Sequence, residues 1–320
     1  MNGRRELIAV LVGAAVEWPL RARAQAARKP VIGVLFHSNP EPTLGFLRKA
    51  LQSLGYREGD TFQLELRIAG GSAARLAEMA AELVARKVDV IVASTTPAAL
   101  AAKAATDSIP IVMGLVADPV GSKMVASLAR PGGNITGVSG AVAEMAGRIL
   151  GLLREAFPAV ARIGVLVNAA DPFHLRLIEQ IEVANKSVRA DLRVFKILRP
   201  DEIPAAFETM VAQRIGGAII QPTLPLPDVI ALAIRHRLPT ASPIRGYAEA
   251  GGLLSYAGKS AEVFSVVAAQ VDQILKGAKP ADIPVRQPTQ FELVINMKTA
   301  KVLALAIPPL VLAQADEVIE

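Results

Sequence analysis

The sequence predicts an α/β protein of two similar lobes, each a parallel sheet covered by helices, joined by a multi-segment hinge. Three observations predict it. Short, continuous runs rich in Val and Ile alternate with helix-period stretches of ten or more residues, the pattern of parallel strands buried on both faces. The same alternation then repeats in the same order about 130 residues later. Short Gly-containing segments with few packing side chains fall where one copy gives way to the other, as hinges require.

The strands read, in order, as Val31–Phe36, Thr61–Ile68, Asp89–Ala93, Ile111–Val116, Ile135–Val138, Ile163–Val167, Arg193–Leu198, Ala218–Gln221, Thr240–Ser242, Leu253–Tyr256 and Phe291–Asn296. Each is a β-branched run bounded by turn residues. The helices between them read as Leu44–Leu54, Ala73–Arg86, Pro97–Ala105, Glu144–Ala156, Leu175–Val188, Ile203–Gln213, Asp228–Arg235 and Ala261–Leu275. Their apolar residues recur at helical spacing. A short helix over Gly121–Leu128 is expected as well, with Asp118 as its candidate cap.

Four echoes support the two lobes. Ile32-Gly33-Val34-Leu35 before Pro40 answers Ile163-Gly164-Val165-Leu166 before Pro172, and Val88–Val92 answers Gly217–Gln221. Ile109-Pro110 then recurs as Leu238-Pro239, and Gly132-Gly133 as Gly251-Gly252. Parallel α/β units all look alike, which explains the strands but not the shared order and spacing. The expected lobes are 29–137 plus 256–280 and 138–255 plus 286–320. The chain changes lobe near Thr136–Gly140 and Ser255–Gly258, and Gly277–Gln287 makes a third crossover.

Residues 1–24 read as a signal peptide. Arg4-Arg5 form a basic start, Leu7–Val16 an apolar stretch, and Ala22-Arg23-Ala24 a cleavage pattern before Gln25. The apolar run is far short of the ~20 residues that span a bilayer. The paired arginines resemble a twin-arginine leader, although Glu17 and Trp18 interrupt the tail, so both export routes stay open. The expected location is the periplasm, with a soluble mature chain. Four arginines against two glutamates give this segment +2 of the net +6; the remaining basic residues are scattered among acids. Scattered charge and few aromatics argue against nucleic acid.

Catalytic chemistry is missing. The chain has no cysteine, which excludes disulfides, thiolate metal sites, cysteine nucleophiles and a lipid-anchored N-terminal cysteine. His37, His174 and His236 have no partner at metal-ligand spacing, and no phosphate-binding or dinucleotide-binding glycine motif follows a strand. Gly137-Val138-Ser139-Gly140 falls one residue short of a nucleophile elbow. No metal or cofactor is expected.

Binding chemistry is better represented, because ligands of open parallel sheets sit beyond the carboxyl ends of the strands. His37-Ser38-Asn39-Pro40 follows the first strand, and Ser94-Thr95-Thr96-Pro97 follows the third. Thr96 could cap the next helix with Pro97 as its first residue, and free N–H groups there suit a carboxylate or phosphate. Asp118 could meet a ligand amine or cap its own helix. In the second lobe Asn168, Asp171, Phe173, Thr223, Arg245 and Tyr247 follow strands. Each also has an ordinary structural reading; their convergence on one edge of two facing lobes is what marks a cleft.

The chain resembles the extracytoplasmic substrate-binding proteins of ABC transporters, in the group with tryptophan- and phenylalanine-binding members. The likeness rests on Trp18–Gln25, Leu54–Gly59, Thr96-Pro97-Ala98-Ala99, Ala117-Asp118-Pro119-Val120, Arg130–Val138, Phe291–Asn296 and Lys298–Lys301, and covers nearly the whole chain. It implies a type I periplasmic-binding fold, two Rossmann-like lobes closing on a small organic solute such as an amino acid or carboxylate. It implies a membrane permease as partner. It also implies that Ser38, Thr95, Thr96, Asp118, Asn168 and Arg245 face the ligand. His37-Ser38-Asn39 and Pro222–Pro227 depart from the family's usual residues. A sensor docking on a membrane receptor, or an α/β enzyme with an interlobe site, are the alternatives.

Overall fold

The computed structural model describes residues 28–38 and 40–320, so the expected signal peptide lies outside the described residues. The first sheet has five parallel strands in the order β2-β1-β3-β4-β5. They are β1 (Val31–Phe36), β2 (Gln63–Ile68), β3 (Val90–Ser94), β4 (Ile111–Val116) and β5 (Ile135–Ser139). Helices α1 (Thr43–Ser53), α2 (Ala73–Ala85) and α3 (Thr96–Ala105) join the first four. After β5 the chain leaves this sheet. Helix α4 (Val142–Ala156) packs on α5 (Phe173–Val188) in the second lobe.

The second sheet runs β12-β11-β10-β9-β8-β6-β7. Its strands are β6 (Arg162–Asn168), β7 (Asp191–Ile197), β8 (Gly217–Ile220), β9 (Thr240–Ser242), β10 (Leu254–Gly258), β11 (Phe291–Asn296) and β12 (Glu317–Ile319). Helices α6 (Ile203–Ala212), α7 (Leu226–Arg235) and α8 (Gly246–Glu249) lie between them. Helix α9 (Ser260–Leu275) returns to the first lobe, where it packs on α1, β4 and β5. Helices α10 (Met297–Val302) and α11 (Pro309–Leu312) lie between β11 and β12.

Two strands depart from the expected all-parallel pattern, β11 and the β12 that pairs parallel with it. β11 is antiparallel to β10, with Leu254 opposite Ile295 and Gly258 opposite Phe291. The topology demands it. β10 ends at the interlobe side, α9 makes an excursion into the first lobe, and the chain re-enters the second lobe at that same end. β11 can therefore only run away from the cleft.

The crossings sit slightly off the expected boundaries. β10 pairs along its whole length in the second sheet, so that crossing lies at Lys259 rather than within the strand. Residues through Arg286 stay with the first lobe: Arg286 N–H donates to Gly137 O (2.9 Å) and Ser139 N–H to Arg286 O (2.8 Å). The expected helix over Gly121–Leu128 is absent. Lys123 holds φ +55, Gly121 and Ser122 are weak helix formers, and the segment closes as turns onto Pro119 O.

Four buried clusters cover the two faces of each sheet. In the first lobe, Val34, Leu47 and Val267 fill one face and Leu35, Leu83 and Ala98 the other. In the second, Ile149, Val165 and Leu177 fill one face and Leu166, Phe207 and Val229 the other. The repeated strand glycines do the same work in both copies. A Cβ on Gly33 would stand 3.2 Å from Leu83 and Val88, and one on Gly164 would stand 3.2 Å from Ile215. Both bring the residue two positions before a strand, Val88 or Ile215, down onto the sheet. Gly137 is the tightest case: at φ +139, a Cβ would lie 2.3 Å from the Met113 backbone.

Candidate functional site

The strand register brings the candidate residues of the first lobe together. β1 and β3 run in step, Phe36 opposite Ser94, so His37 and Thr95 leave the sheet side by side. Ser94 in turn sits opposite Gly114 of β4, and Thr95 N–H donates to Gly114 O (3.2 Å). Beyond Gly114 β4 is irregular: Leu115 adopts φ +62 and the register shifts before Val116.

Thr95 has an exceptional backbone. At φ +84 and ψ +156 it occupies a conformation almost reserved for glycine, and it immediately precedes α3. A threonine held there costs of order 1–3 kcal/mol. Its side chain does not cap the helix. Instead Thr95 Oγ1 is buried without a hydrogen-bond partner. A buried, unsatisfied hydroxyl at the N-terminus of a helix is set up to receive an acceptor.

Thr96, expected as the cap, is already the first residue of α3, and its Oγ1 accepts from Ala117 N–H (3.3 Å). Its work is to tie β3 to β4. Asp118 Oδ1 accepts from Gly121 N–H (2.8 Å), closing the turn that replaces the expected helix. Asp118 Oδ2 lies 3.9 Å from Arg176 Nε of α5, in the opposite lobe. Ser38 is exposed, and Asn39 lies outside the described residues.

The second lobe contributes a polar network rather than isolated side chains. Asn168 N–H donates to Gln221 Oε1 (2.9 Å), which fixes the amide so that its Nε2 points to Asp171 Oδ2 (2.8 Å). Thr223 Oγ1 donates to the same oxygen (2.9 Å), and Phe173 N–H to Asp171 Oδ1 (3.0 Å). Asn168 Oδ1 accepts from Ala170 N–H (3.0 Å), so Asn168 shapes this loop. Asp171 is 1% exposed and Gln221 fully buried.

The two walls meet at His37. The imidazole is 7% exposed, and burial pushes its pKa below 6.5; the negative charge of Asp171 and a hydrogen bond to the Gly71 backbone oppose that shift. Asp171 is thus near enough to act on a side chain of the facing lobe. Arg176 and Asp118 likewise face each other from the two lobes.

Arg245 has other work. Its Nε donates to Glu249 (2.7 Å), Nη1 to Glu292 (2.6 Å) and Nη2 to Glu317 (2.5 Å), and Glu292 also accepts from Ser260 N–H (3.2 Å). The guanidinium ties α8, β11 and β12 to the start of α9. Tyr247 is fully buried and hydrogen-bonded to Thr240. Sequence reasoning named Asp171 only as a residue after a strand and overlooked Gln221 as its holder. The signal was faint: Asn168-x-x-Asp171-Pro172 preceding a helix, at the place where the first copy has Asn39-Pro40.

No helix among the described residues is long and apolar enough to cross a membrane. Comparison with known proteins places the fold. A tyrosine-binding protein of Clostridioides difficile is 29% identical over 265 residues, 81% of this chain and 75% of the relative. A conserved domain protein of Vibrio cholerae superposes with a TM-score of 0.81 at 27% identity, covering 91% of this chain and 99% of that one. An ABC domain from Streptococcus pneumonia in complex with L-Trp gives 0.80 at 28% identity, covering 91% and 100%. The fold is that of periplasmic binding proteins, and the family is one of solute binders rather than enzymes. The family model described as ABC transporter substrate binding protein matches residues 30–319, and the chain belongs to that family.

Proposed function

We propose that the protein is the extracytoplasmic solute-binding component of an ABC importer and captures an amino acid, with aromatic ones foremost, between its lobes. The observation that carries the reading is Thr95: a strained, buried hydroxyl without a partner at the N-terminus of α3. Oriented N–H groups and the helix dipole there suit a carboxylate. The tyrosine-binding and L-Trp-bound relatives supply the class of solute. Residues 1–24 serve as the export signal, and the loaded protein delivers its solute to a permease. Ser38, beside His37, and the Asn168 loop frame the cleft; Thr96 and Arg245 hold its walls.

The test is a thermal-shift screen of the L-amino acids against the purified protein. A ligand at 100 times its Kd stabilises the folded state by about 2.7 kcal/mol. At least one amino acid should raise Tm, and Thr95→Val should abolish the rise while leaving the unliganded Tm within a few degrees. No response to any amino acid overturns the reading. In cells, deleting the gene should abolish uptake of the solute that raises Tm.

A further inference from the structure

Asp171 is a carboxylate without a counter-cation. It is 1% exposed, and no Lys or Arg among the described residues pairs with it. A buried charge of this kind is costly unless something positive meets it. Its three donors are all neutral: Phe173 N–H on Oδ1, Gln221 Nε2 and Thr223 Oγ1 on Oδ2. A carboxylate offers about four acceptor positions, so one on Oδ1 is left. The titratable group acting on it from the facing lobe is His37, whose burial disfavours the charged ring. The protein therefore supplies a rigid, oriented anion, held by neutral donors at the start of α5, and pairs no Lys or Arg with it.

Asp118 is the competing carboxylate, and it is placed differently. It is partly exposed, spends one oxygen on Gly121 N–H, and has Arg176 3.9 Å away. We infer that Asp171 holds the ammonium group of the bound solute, and that Asp118 does not. The solute is then a zwitterion with its carboxylate at Thr95 and α3 and its amine at Asp171. His37, on which the Asp171 charge acts, leaves the sheet beside Thr95, as the pairing of Phe36 with Ser94 fixes. This assignment rests on the amino-acid reading above and adds the residue that discriminates amino acids from plain carboxylates.

The experiment compares L-tryptophan and L-tyrosine with indole-3-propionate and 3-(4-hydroxyphenyl)propionate, which lack only the amine, by calorimetric titration. In the unaltered protein, losing the amine should weaken binding by about 30-fold or more, since stranding one member of a buried charge pair costs at least about 2 kcal/mol. In Asp171→Asn that ratio should fall to within about threefold; in Asp118→Asn it should persist. Because each ratio is taken within one protein, partial unfolding of a variant cancels from it. A ratio unchanged in Asp171→Asn, or lost in Asp118→Asn, overturns the inference and leaves the amino-acid reading standing. Failure of every amino acid to bind overturns both.

Discussion

Arg176 of α5 lies 3.9 Å from Asp118, so an ion pair joins the two lobes. Both side chains are substantially exposed, and such pairs are worth about 0–1 kcal/mol. On the assignment proposed above, Asp118 helps join the lobes and does not anchor the solute. Arg176→Ala should weaken binding of L-tryptophan or L-tyrosine by no more than about fivefold, and the difference should vanish in molar salt. Calorimetric titrations at two ionic strengths check this. A loss of about 100-fold, insensitive to salt, would return this pair to the ligand's direct contacts.

Thr95 sets stability against binding. Its backbone is strained and its hydroxyl unsatisfied, two costs with no return in the unliganded protein. Glycine adopts φ +84 freely. Thr95→Gly should raise the unliganded stability by about 1 kcal/mol while weakening amino-acid binding about tenfold or more. Urea unfolding and titration of the same preparation measure both. A destabilised Thr95→Gly would mean that the threonine packs favourably where it sits.

Much of this was legible in the sequence, for physical reasons. Buried parallel strands must be apolar along their whole length, and Ile32–Leu35 and Ile163–Leu166 announce themselves that way. The hinge glycines are forced by close backbone approach, as at Gly137. β12 and α11 were missed because Glu317–Ile319 and Pro309–Leu312 are too short for any period to show. The site was legible only as a set of loops. Thr95 and Asp171 look like ordinary capping residues in one dimension. What distinguishes them is a hydroxyl with no partner and a carboxylate with no cation, and those exist only once distant segments such as Gln221 and Thr223 are brought together.

His37 makes folding sensitive to acid. Burial lowers its pKa in the folded state below the unfolded value of 6.5. The unfolded chain therefore binds a proton more readily as pH falls, and the associated stability is fully present above about 6.5 and lost below it. Asp171 and the Gly71 hydrogen bond limit the loss without reversing it. His37→Gln should flatten the decline in unfolding free energy between pH 7.5 and 5.5, measured by urea titration at roughly fixed ionic strength. An identical decline in both proteins would place the proton uptake on other groups.

Arg245 separates a structural from a ligand-binding role for the last of the candidate residues. Its guanidinium, 15% exposed, faces Glu249, Glu292 and Glu317, and Glu292 is 8% exposed. Glu292 also receives Ser260 N–H, so the network reaches the segment through which the chain crosses back to the first lobe. Removing the cation leaves a buried carboxylate uncompensated at that crossing, a change that costs about 3–5 kcal/mol in comparable sites. Arg245→Met keeps the bulk of the side chain and removes only the charge and its donors. It should lower the urea midpoint strongly, yet the molecules that remain folded should bind L-tryptophan or L-tyrosine within about threefold of the unaltered affinity. Arg245→Lys should recover only part of the stability, because one ammonium cannot reproduce three donors fixed in a planar fork. If Arg245→Met instead folds normally and loses the amino acid, the guanidinium reaches the solute and the assignment to the frame fails.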